Sequence, residues 1–60
     1  MFLIQLQSIP VKYVSSIDAM RAPFFTQDKE KAMTFGQEDA VEYGQWLHTN
    51  HGYVCKIVSM

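Results

Sequence analysis

Sixty residues, 48% of them apolar and 18% charged, describe one small globular domain, residues 1–60, rather than a disordered chain. Five Lys and Arg against six Asp and Glu leave a net charge of -1, which excludes a strongly basic nucleic-acid binder and a polybasic membrane clamp and disfavours a heavily acidic DNA mimic. The single cysteine excludes an internal disulfide framework and a Cys-only zinc site.

In chain order, Phe2, Ile4 and Leu6 alternate with Leu3, Gln5 and Gln7, so Phe2–Gln7 reads as a strand. Pro10 interrupts it, and Val11–Ser16, rich in β-formers, reads as a second strand joined by a tight antiparallel connection. Ile17–Phe25 reads as an irregular loop, because Pro23 drives Ala22 out of the helical region. Thr26 is placed to cap a short helical turn over Gln27–Met33. Gly36 then opens the main helix, with Glu38 and Asp39 at the positive end of its dipole. Ala40, Tyr43, Gly44 and Leu47 form its apolar stripe, and Asn50 or Gly52 supplies the stop. Tyr53–Met60 closes the chain as a third strand.

The expected architecture is α+β: a three-stranded antiparallel sheet with one main helix and a short helical turn on one face. Phe2, Ile4, Leu6, Val11, Tyr13 and the Tyr53–Cys55–Ile57 set are assigned to the helix side. Leu3, Val14, Val54 and Val58 then share the opposite face with Lys12 and Lys56, leaving that face more apolar than a lone domain needs. A chain this short buries only about 60% of its unfolded surface, so a partner that covers apolar area would help it.

Met1–Gln7 lacks the basic and long apolar regions of a secretory signal, and no apolar run approaches a membrane span. A lone thiol suits a reducing compartment. The expected location is the cytoplasm, with no membrane partner.

Chemistry is sparse. His48, His51 and Cys55 carry zinc-compatible atoms, yet no fourth ligand falls at a useful spacing, and a histidine at a helix end is already favoured by the dipole. The expectation is no metal and no cofactor. Glu38, Asp39 and Glu42 could serve acid–base chemistry only in a pocket that separates their pKa values, and sixty residues leave little room for one. Ser15–Ser16 lacks a nucleophile elbow, and no glycine loop cradles phosphate. The expectation is therefore no enzyme. Trp46 lies about 110° from the centre of the apolar stripe, at the margin of the helix, where a large ring either lids the core or anchors a partner. Phe24 and Phe25 follow Pro23, and one of the pair is expected to point outward.

The run Phe25–Thr26, Asp28, Ala32 to Phe35, with Glu38–Asp39–Ala40 and then Gly52–Tyr53–Val54 and Ile57–Val58, resembles a recurrent pattern in small phage-encoded ββαβ proteins. The resemblance covers roughly residues 25–58 and rests on structural positions, so it transfers no catalytic residue. Ala40, Glu42, Trp46, Gly52, Tyr53 and Val54 are also similar to elements of the bacteriophage T7 type of inhibitor of host RNA polymerase. These resemblances imply a non-enzymatic phage accessory protein that binds and inhibits a host or host-defence protein in the host cytoplasm. The expected contacts are Trp46, Phe24, Glu38, Asp39, Glu42, Val14 and Val54. The alternative is a small homodimeric subunit that associates through the open sheet face.

Overall fold

Four strands, rather than three, carry the sheet. In the computed structural model, which describes residues 1–60, β1 (Phe2–Leu6), β2 (Lys12–Ile17), β3 (Pro23–Thr26) and β4 (Cys55–Ser59) lie in the order β3-β2-β1-β4, with every neighbouring pair antiparallel. One helix, α1 (Gln37–His51), packs on β1 and β4. The α+β class, the antiparallel sheet and the single main helix agree with the sequence reading. The strand count does not.

The added strand, β3, lies where a loop was expected. Pro23 occupies its first position, where a missing N–H does the least harm to a ladder. The Asp18 carboxylate holds the preceding turn together, accepting from the backbone N–H of Met20 at 2.8 Å and of Ala22 at 2.9 Å. Asp18 also exchanges backbone bonds with Arg21 and Ala22. Pro23 disfavours helix at Ala22, as argued from sequence, but the chain answers by extending rather than by losing regular structure.

The side-chain phase of β2 is the second correction. Gln5 pairs with Tyr13, so Tyr13 shares the far face with Gln5, while Val14 shares the helix side with Ile4. Val14 is 0% exposed and sits in the core with Ile4, Phe35, Ala40, Tyr43 and Leu47. The ladder with β3 then skips at Ser15, where Val14 pairs with Phe25 and Ser16 with Phe24. This bulge adds one residue, which turns Ile17 back to the same side as Val14. Simple alternation does not carry through Ser15, whereas the inverted assignment of Tyr13 and Val14 comes from the register across the β1–β2 connection, which pairs Gln5 with Tyr13 and Leu6 with Lys12.

Leu3 does occupy the far face, opposite Val58, yet it is only 1% exposed. The surplus apolar face expected there is therefore absent at its centre. Val54 precedes β4 and is exposed at the flank of the helix.

β1 and β2 pair directly only at Gln5–Tyr13 and Leu6–Lys12. Beyond that point the Met33–Phe35 segment enters between them. Met33 N–H donates to the Val14 carbonyl at 2.8 Å, and Phe2 and Phe35 exchange bonds of 2.9 and 2.8 Å. The helical turn before it is a single 3-10 turn, Lys29–Lys31, capped by the Asp28 carboxylate rather than by Thr26. In α1, Gly52 takes a left-handed φ of 73° and its N–H closes on the His48 carbonyl. Gly44 faces β4, where a Cβ would lie 3.4 Å from Ile57 Cδ1, an ordinary contact distance.

Candidate partner-binding surface

The hairpin loop between β2 and β3 reaches the helix through one residue, Arg21. Its Nη2 donates to both Glu42 carboxylate oxygens, at 2.9 and 2.8 Å. The guanidinium also lies 4.8 Å from the Trp46 ring centroid and 5.4 Å from that of Tyr43. The Tyr43 hydroxyl donates to the Arg21 carbonyl at 2.6 Å. Arg21 holds these contacts from a φ of 65°, a conformation unusual for a residue with a side chain.

Beneath Arg21 runs a file of rings. Phe35 stacks on Tyr43 at 6.2 Å and Tyr43 on Trp46 at 5.5 Å. Trp46 meets His51 edge-on, His51 stacks on Tyr53, and Tyr53 meets Phe25 edge-on. The file bridges helix, closing segment and β3. Burial pushes the Tyr43 hydroxyl pKa up, with the Arg21 charge pulling the other way.

The expected contact residues fall into separate places. Trp46 is half-buried, part of the ring file and faced by Arg21. Phe24 is 56% exposed and turned away from Phe25, which packs against the core. One of the two phenylalanines does point outward, but Trp46 meets Arg21 from the loop rather than Phe24. Glu42 is tied to Arg21, whereas Glu38 and Asp39 are exposed and take part in no salt bridge. Val14 is in the core and offers no surface.

Sequence reasoning missed Arg21 and its neighbour Met20, which is 84% exposed. Asp18 is a favoured turn residue and was a usable signal for the turn. Nothing in the residue type marks an arginine for a left-handed position.

Two depressions flank the helix. One, of about 240 Å³, lies between the hairpin and the start of α1, lined by Ile17, Met33, Phe35, Asp39 and Glu42 beside Arg21. The other, of about 390 Å³, lies between α1 and the edge of β4, with Val41, Gly44, His48, Val54 and Ile57 in its walls. Cys55 also lines it, and burial pushes its thiol pKa up, which keeps it protonated at neutral pH. His48 Nδ1 lies 3.0 Å from the Tyr53 carbonyl; since a carbonyl only accepts, Nδ1 carries the proton. With His48 so engaged and His51 stacked on Tyr53, no three His, Cys, Asp or Glu side chains converge to hold a metal. No helix is long and apolar enough to cross a membrane.

The chain matches no known protein family, no curated protein and no solved structure. Its function has to be read from this surface.

Proposed function

We propose that this chain is a non-enzymatic phage accessory protein that binds and inhibits a host or host-defence protein in the host cytoplasm. The observation that supports this best is the hairpin. Met20 stands exposed on a turn fixed by Asp18 and clamped to the helix through Arg21, and Phe24 stands exposed on the strand that follows it. A held loop loses little entropy on docking, so apolar groups presented this way favour binding. The neighbouring depression has an apolar floor of Ile17, Met33 and Phe35 and a carboxylate at Asp39. A target side chain with an apolar body and a basic tip would suit it. Glu38 and Asp39, free of internal ion pairs, would speed the approach of a basic target.

The test uses the tagged chain against a bacterial host lysate, beside a Met20→Ser/Phe24→Ser variant with an unchanged melting curve. The reading expects a host protein retained by the wild type and lost with the variant, and a fall in that protein's own activity when the chain is added. Retention that is equal for both would move the surface elsewhere. Retention with no effect on activity would remove inhibition from the proposal.

A further inference from the structure

The backbone bonds at β4 show which of its groups are free. Gln7 N–H donates to the Val54 carbonyl at 2.8 Å, and Met60 N–H donates to the Met1 carbonyl at 3.1 Å. With Gln5 opposite Lys56 and Leu3 opposite Val58, the even positions of β4 bond to β1. Cys55, Ile57 and Ser59 therefore aim both N–H and C=O out of the sheet. β4 is an outer strand, and none of these groups has a partner among the bonds outside the ladder.

The two outer strands are not alike. β3 is short and begins with Pro23, two features that blunt an edge. β4 has no proline, no bulge and no covering segment, and its one charge, Lys56, projects on the far face. Beside its free edge runs the 390 Å³ groove, whose helix wall of Val41, Gly44, Gln45 and His48 contains no Lys, Arg, Asp or Glu.

We propose that this edge is an interface between two copies of the chain, pairing β4 with β4 antiparallel about Ile57. The edge is symmetric about that residue. Ile57 would exchange both backbone bonds with its counterpart, and Cys55 would do so with Ser59 of the second copy. Lys56 would fall opposite Val58, so the two lysines do not meet. Strand spacing of about 4.8 Å places helices that sit over their own β1–β4 pairs about 10 Å apart, at the outer limit of ordinary helix packing. Gly44 faces Ile57, whose Cδ1 lies 3.4 Å from the position a Cβ would take there, so it lies level with the twofold axis, which brings Val41 of each helix towards His48 of the other. The two groove walls bring no Lys, Arg, Asp or Glu against each other. A strand of this length with one helix flank is a small interface, so the expected dissociation constant is on the order of micromolar.

Sedimentation of the full chain over a concentration series tests this. The expected result is a reversible monomer–dimer equilibrium. Ser59→Pro removes an N–H that has no partner within the subunit and should leave a monomer with a near-normal melting curve. Val41→Lys, a change on the exposed helix flank, should weaken the dimer at least tenfold, and Phe24→Ser should leave it intact. A wild type that stays monomeric into the millimolar range overturns the proposal and leaves the edge to an extended peptide. A dimer indifferent to both Val41→Lys and Ser59→Pro overturns it equally.

Discussion

The Arg21 guanidinium lies 4.8 Å from the centre of the Trp46 ring, so a loop residue in a left-handed conformation covers the helix's only tryptophan. The same guanidinium grips Glu42, and the Arg21 carbonyl takes the Tyr43 hydroxyl proton bond. One residue thus ties the hairpin to three residues of the helix, Glu42, Tyr43 and Trp46.

Arg21 is the first place to test that tie. The Glu42 pair is largely exposed and contributes little alone, and the ring contact adds about 0.5–1 kcal/mol. Arg21→Ala should lower stability by about 1–2 kcal/mol, since it removes both contacts and keeps the strained φ. Arg21→Gly loses the same contacts but relaxes the backbone, so it should cost less than alanine. Urea unfolding of the two variants side by side measures the difference; glycine costing more than alanine would show that strain at Arg21 is negligible.

Trp46 and Phe24 should separate cleanly. Trp46 is packed into the ring file, so Trp46→Ala should lower stability by about 2–4 kcal/mol. Phe24→Ala should change it by less than about 0.5 kcal/mol, as expected of an exposed side chain. A Trp46→Ala variant that melts like the wild type would return Trp46 to the list of partner anchors.

Val14→Lys should abolish folding. The position is fully buried among Ile4, Phe35 and Leu47, and an unpaired ammonium there costs several kcal/mol. Loss of the circular dichroism signal is the expected readout. A folded variant would mean that β2 can slip its register.

The two helix glycines should respond in opposite directions. At Gly44 a Cβ meets Ile57 at 3.4 Å, an ordinary contact, so Gly44→Ala should stabilise the helix by about 0.5–1 kcal/mol. At Gly52, with φ of 73°, Gly52→Ala should destabilise by about 1 kcal/mol. Thermal melts of both variants give the signs directly.

Alkaline pH should act through Tyr43. Burial raises its pKa above the ordinary 10.0, against the opposing pull of Arg21. The folded chain therefore holds this proton more tightly than the unfolded chain. The resulting stability is complete below pH 10.0 and is lost as the pH rises through the folded value. Tyr43→Phe should be about 1 kcal/mol less stable at neutral pH, having lost the bond to Arg21, but should lose less on going to high pH. Parallel slopes for the two proteins above pH 10.0 would rule Tyr43 out as the source.

Local chemistry in the sequence determined the helix and much of the sheet. Glu38 and Asp39 at one end, Gly52 at the other and the Ala40–Tyr43–Leu47 stripe define α1 with no help from the rest of the chain. Alternation likewise placed Ile4 and Ile57 towards the helix, because a strand with one buried face carries its own record of that face. The strand at Pro23 and the phase of β2 were not readable in this way. Four residues are too short a run for periodicity; the face of Tyr13 and Val14 depends on the register across the β1–β2 connection, and the bulge at Ser15 shifts the alternation again towards Ile17. Only the tertiary structure brings Met33 to Val14, Phe35 to Phe2 and Arg21 to Trp46. These contacts join residues far apart in the chain, and their free energy exists only once the sheet, the hairpin and the helix have closed on one another.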